Sequence, residues 1–251
     1  MLKKTGKKTE KVERKRDPVS ILLVLIMLAV AIAAGIPLLR DLMFSLHVRQ
    51  ENEGIRARYT AEEDGRQQVD FAALRKQNPD ICAWITIDNT SIDFPVVQGS
   101  NNLEYLNKNA YGEAAVYGAI FLDTRNSSDF SDRFSLLYGH HMSDGNMFGD
   151  VDLFADRNFF QKNTSGTLLT PAGTYSLRTI AYLLVDREED HIFCPEQWNE
   201  RDLQELFAFT EKRSEQISSL SGGESRILAL SSCSTEGDRL RSVLLLEVGD
   251  A

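Results

Sequence analysis

Apolar residues fall into two kinds of run along this chain. One is a single long block, residues 19–39 (VSILLVLIMLAVAIAAGIPLL), 21 residues without a charge. At ~1.5 Å rise per residue, a helix of that length spans the ~30 Å hydrocarbon core of a bilayer. The other kind is short and bounded by Gly, Pro, Asn, Asp and Ser. It recurs at 82–87, 92–98, 119–122, 134–138, 166–170, 174–185, 227–230 and 243–246. Runs of this kind between turn residues predict strands. Helical spacing is confined to a few places. Residues 69–76 form a short helix with Asp70 at its cap, ended by Asn78-Pro79-Asp80. Residues 147–161 predict one or two helices, and 196–218 a late helix spaced on Trp198, Leu203, Leu206 and Phe207. Many short strands without alternating helices argue against a doubly wound sheet. The prediction is a mainly β fold, a closed barrel or a sandwich, with N-terminal helices and one helix inserted before the penultimate strand.

Charge changes the reading of the long block. The first 17 residues carry eight Lys or Arg and three acids, whereas the whole chain of 251 residues carries a net charge of −9. A basic flank before an uncharged span, with no basic cluster just after it, predicts a cytoplasmic N-terminus. The organisation expected is therefore a basic cytoplasmic tail (1–18), a transmembrane signal anchor (19–39), a helical stalk or linker (40–68) and an extracellular strand-rich domain (69–251). The rival, a cleaved signal peptide, has a small-residue run at Ala33-Ala34-Gly35 but a shorter apolar core than this one. The acidic outer part argues against nucleic acid as a partner.

Location in turn reframes the cysteines. An exported chain built on disulfides carries a denser, even set, whereas this one has three, Cys82, Cys194 and Cys233. No CxxC, zinc or HExxH spacing occurs, so no metal is expected. Cys233 ends one apolar run, and Arg239 and Arg241 open the next. His140 and His141 follow another strand through Gly139, which permits a tight turn. A thiol, an imidazole and a guanidinium at strand ends can make a nucleophile, a proton carrier and an oxyanion donor. Residue pattern alone does not place them at one end of a barrel.

Several stretches of the chain resemble those of the class B sortases. Tyr138-Gly139-His140, with Met142 and Gly145-Asn146-Met147-Phe148-Gly149, resembles their histidine motif. Leu230-Ser231-Ser232-Cys233 resembles the Leu-x-Thr-Cys signature, and Arg241 with the apolar run after it resembles the arginine that opens the last strand. Gly118 to Asp123, and Asn101-Asn102 with Tyr105-Leu106, extend the likeness over residues 69–248. The resemblance implies a sortase β-barrel and a membrane-anchored cysteine transpeptidase that needs no cofactor. It implies Cys233 as nucleophile, His140 as acid and base, and Arg241, with Arg239 as the alternative, as oxyanion donor. Asn102, Leu106, Ile192 and Ser231 fall where class B enzymes contact a sorting peptide. The partners implied are surface proteins with a C-terminal sorting motif, Asn-Pro-x-Thr-like, and an amine of peptidoglycan or a pilin lysine. The chain departs from the pattern where Ser232 and Ala229 stand for two threonines, where His191 stands for a frequent Tyr, and in having Cys194 near that loop. Two other readings stand beside this one: a thiol hydrolase of the same fold, and a non-catalytic surface binding module with a structural Cys233.

Overall fold

The structure is a computed structural model, and it describes residues 18–188, 191–200, 203–219, 225–234 and 237–250. The basic segment 1–17 and the side chain of Cys233 lie outside the described residues. The chain divides into two compact units, Met1–Leu46 and His47–Ala251.

In the first unit the described residues belong to helix α1 (Pro18–Tyr59), which contains Pro37 and is long and apolar enough to cross a membrane by length and composition. Its apolar side chains from Val19 to Leu42 are exposed.

The second unit starts on the last turns of the same helix, where Val48, Ile55 and Tyr59 are buried. A hairpin follows, β1 (Thr60–Glu63) and β2 (Arg66–Val69), turning through Asp64 and Gly65, both at positive φ. The structure thus differs from a helical stalk running to residue 68. The strands of this hairpin are polar and exposed, so no hydrophobic alternation marks them. Their one signal is the Asp-Gly pair, which suits a turn needing two positive φ values. Helix α2 (Phe71–Gln77) is capped by Asp70, whose carboxylate accepts from Ala73 N at 2.9 Å.

Next come β3 (Ile81–Ile87), β4 (Asp93–Val97), a 3₁₀ turn (Glu104–Leu106), β5 (Ile120–Leu122) and β6 (Phe134–Tyr138). A 3₁₀ segment (Gly149–Ala155) and α3 (Arg157–Lys162) precede β7 (Ser165–Thr170) and β8 (Gly173–Asp186). A 3₁₀ turn (His191–Phe193), α4 (Pro195–Glu200), α5 (Leu203–Arg213) and β9 (Ser214–Ile217) lead to β10 (Arg226–Ser234) and β11 (Gly237–Asp250). The late insertion is therefore two helices and an edge strand. Residues 214–217, read from sequence as the end of a helix, instead pair with β8. Their alternating half-buried and exposed pattern suits a strand lying on a sheet edge.

Among the described residues, eight strands close into a barrel in the order β11-β10-β6-β5-β4-β3-β7-β8, with β8 pairing back to β11. The barrel is buried on both faces. Leu228, Leu230, Leu244 and Leu246 point into the interior cluster. Ile227, Ala229, Val243 and Leu245 join Trp198 and Leu206 in a second cluster under α4 and α5. A third cluster joins Ile55, Tyr59 and Leu74 to the outer faces of β3 and β5. Burial on both sides explains why these strands read as continuous apolar runs and not as alternating ones.

Val48 is fully buried with Met147 and Phe148 in the interior cluster. Losing a side chain of that size costs about 2 kcal/mol, and Ile55 and Tyr59 add as much again each. A chain beginning at His47 should therefore melt about 10 °C or more above one beginning at Thr60. Equal melting temperatures in a thermal scan would show that residues 47–59 add nothing to the domain.

Candidate active site

Two strand pairings bring the candidate residues together. β6 and β10 run parallel, with Tyr138 opposite Ser231, and the ladder continues as Gly139 N donates to Ser231 O at 3.1 Å. β10 and β11 run antiparallel, with Ser232 opposite Ser242 and Cys233 opposite Arg241. Paired residues in such a ladder sit about 4.5–5.5 Å apart at Cα. The backbones of Gly139-His140, Ser231-Ser232-Cys233 and Arg241 thus meet at one end of the barrel.

A cleft of about 270 Å³ opens there, lined by Asn102, Leu106, Phe121, Tyr138, Gly139, His140, Ser231, Ser232 and Arg241. Five residues singled out from sequence line it: His140, Arg241, Asn102, Leu106 and Ser231. Ile192 does not. It is fully buried in the second core cluster with Phe134 and Trp198, so it packs the turn on which it sits against the barrel. Tyr138, Phe121 and Ser232 line the cleft without having been picked out as site residues. All three lie inside the motif stretches Gly118 to Asp123, Tyr138 to His140 and Leu230 to Cys233.

His140 is held on two sides. Its Nε2 lies 2.9 Å from Leu106 O, and a carbonyl only accepts, so Nε2 carries the hydrogen and Nδ1 is the acceptor of the neutral ring. A Cβ on Gly118, at φ +63°, would come within 2.9 Å of the His140 ring. A Cβ on Gly139 would lie 2.5 Å from Ile120 and 2.6 Å from Phe148, so only glycine fits between strand and imidazole. The loop after it is closed by Phe148 N donating to His140 O at 3.0 Å. His141 pairs with Asp152 at 3.2 Å, and the other oxygen of Asp152 accepts from the Ser242 hydroxyl on β11.

The two arginines separate. Arg239 donates to Asp186 at 2.7 Å and its side chain is 64% exposed. The Glu188 backbone N–H and Arg239 hold the Asp186 carboxyl below its ordinary range. Arg241 is half-buried and lines the cleft, with Nη1 donating to Leu240 O at 3.0 Å. Ser232 Oγ is buried and meets no hydrogen-bond partner among the described residues. A buried hydroxyl without a partner is costly, and a bound group can satisfy it.

Cys82 and Cys194 are free. Cys82 is buried in β3, and burial pushes its thiol up to about 12, so it stays protonated and inert. Cys194 is half-buried beside the His191–Phe193 turn. Among the described residues no group of three His, Cys, Asp or Glu is placed to hold a metal ion.

No protein-family model matches the chain. Sortase B of Listeria monocytogenes is 28% identical over 232 residues, 90% of this chain and 94% of that protein. Sortase B of Staphylococcus aureus is 30% identical over 164 residues, 65% of this chain and 67% of that protein. A Streptococcus pyogenes class B sortase involved in pilus biogenesis superposes with a TM-score of 0.67 at 34% identity, over 72% of this chain and 98% of its own. The chain belongs to the class B sortases. A substrate complex of the Staphylococcus aureus sortase B also matches, with a TM-score of 0.64 at 28% identity over 72% of this chain and 85% of that one. This sortase is a cysteine transpeptidase on an eight-stranded barrel.

Proposed function

We propose that this sortase is anchored in the cell membrane by α1 and joins exported proteins to an amine outside the cell. Cys233 is the nucleophile. Its thiol passes a proton to His140 Nδ1, the resulting thiolate attacks a backbone carbonyl of a sorting peptide, and the C–N bond breaks as His140 gives that proton to the leaving amine. The product is a thioacyl enzyme. An incoming amine then attacks the thioester carbon, His140 takes its proton, and the thiolate leaves, so a new amide replaces the old one and no redox partner is needed. Arg241 stabilises the oxyanion in both steps. Asn102, Leu106 and Ser231 contact the peptide, and Ser232 Oγ finds its partner there. The observation that carries this reading is the single cleft that joins His140 and Arg241 to the Cys233 position on β10.

A sorting peptide of the Asn-Pro-x-Thr type is the expected donor. The acceptor is an amine of peptidoglycan or, as a second reading favoured by the likeness to a pilus-biogenesis sortase, a pilin lysine. Incubating the enzyme with a panel of sorting peptides separates these readings. Each peptide is supplied with no added amine, with a cell-wall cross-bridge amine, or with a lysine peptide. Amine-dependent ligation product is the expected result. Cleavage at the same rate into free acid, whatever the amine, would make the protein a hydrolase. No cleavage of any peptide would leave a binding module.

A further inference from the structure

Asp123, the residue after β5, is fully buried beside the cleft. Its Oδ2 accepts from Asn102 Nδ2 at 2.9 Å, from Tyr138 OH at 3.0 Å and from Arg125 Nη2 at 2.8 Å. Its Oδ1 accepts from Arg125 Nε at 2.8 Å and from Arg125 N at 3.0 Å. Asn102 is held at its other end too, as Thr124 N donates to its Oδ1 at 2.8 Å. Arg125 reaches beyond the carboxylate. The same Nη2 donates to Phe193 O at 2.7 Å, in the 3₁₀ turn after β8, and Nη1 meets Glu196 at 3.1 Å. One buried carboxylate and one guanidinium thus join two residues of the cleft wall to the turn beyond it.

We propose that Asp123 and Arg125 are positioning residues that set the shape of the peptide-binding wall, and through it the choice of sorting peptide. The argument rests on the cleft being the peptide site. A buried carboxylate is tolerated only when its charge is matched and its lone pairs are filled, and here both conditions are met by groups that line or flank the cleft. Asn102 and Tyr138 are each fixed by a charge-assisted bond to Asp123, so neither is free to rotate to suit a different peptide. The fork from Arg125 holds the His191–Phe193 turn at a set distance from that wall. Lysine in its place would keep a positive charge but could not span Asp123 and Phe193 at once.

The test uses the full chain in detergent. Arg125→Lys changes a partly exposed side chain and leaves the buried carboxylate a cation, and Asp123→Asn keeps the shape and removes the charge. Both should raise KM for the best sorting peptide about tenfold, the size of one lost charge-assisted bond, while kcat stays within about twofold. Both should also flatten the ranking across the peptide panel. A purely structural ion pair would lower the melting temperature of both variants and leave KM and the ranking as in the wild type, which would overturn the proposal. Should Asp123→Asn not fold, Arg125→Lys alone decides between these outcomes. A wild-type chain that turns over no peptide would sink the reading of the cleft itself, a result distinct from an active wild type with indifferent variants.

Discussion

Cys233→Ala removes transpeptidation, by a factor on the order of 10⁴ to 10⁶ in kcat. Covalent catalysis divides acyl transfer into two easier steps, and without a nucleophile neither step exists. The position rests on backbone register. β10 places residue 233 opposite Arg241 and two residues beyond Ser231, which pairs with Tyr138 just before His140. No other described cysteine can take over. Cys82 is buried, with its thiol raised to about 12. Cys194 follows the His191–Phe193 turn and is not among the residues lining the cleft. The variant should keep the wild-type melting temperature and bind the peptide without turning it over. Full activity of Cys233→Ala in a ligation assay would remove the thioacyl mechanism, and Cys82→Ala in the same assay should act as wild type.

Arg241→Ala is expected to lower kcat by about 10² to 10³, the loss typical of one oxyanion donor, whereas Arg239→Ala should stay within about twofold. Arg241 lines the cleft and Arg239 faces Asp186 on the neighbouring strand. Arg241→Lys should recover only part of the loss, because an ammonium supplies charge without the planar fork. Steady-state kinetics on the three variants decides the assignment, and a larger loss for Arg239 than for Arg241 would reverse it.

Acid should leave the wall behind the cleft intact until the pH falls below the ordinary carboxylate range. Burial alone would raise the Asp123 carboxyl, but the hydrogen bonds and charge of Arg125 outweigh it and hold the group below its ordinary value of 3.8. A group depressed in the folded state contributes stability above its unfolded pKa and loses it as pH falls through the folded one. The contribution of Asp123 is therefore intact at neutral pH and fades only below about pH 4.

How much of this was legible in the chain follows from the range of each interaction. The strands around residues 134–138, 227–230 and 243–246 were readable because burial on both faces makes each an unbroken apolar run. Asp70 was readable as a cap because capping acts over three residues. The hairpin at Thr60–Val69 was not read, because its strands are exposed and carry no apolar pattern. The strand at Ser214–Ile217 was not read either, since pairing with β8 and not local propensity holds it. Ile192 resembled a peptide contact by position, yet its apolar side chain is buried beside Trp198.

By itself, the sequence determined the long uncharged span, the strand-rich domain after it, and the three residue types able to run thiol acyl transfer. These are properties of composition and of short periods, which depend only on near neighbours along the chain. The choice between Arg239 and Arg241 lay beyond it, since both fall on one face of a period-two strand. Tertiary structure sets Asp186 of β8 against Arg239 and the cleft against Arg241. It alone also brought Asn102, Tyr138 and Phe193 to the Asp123–Arg125 pair. Contacts spanning 15 to 68 residues exist only once the barrel has closed.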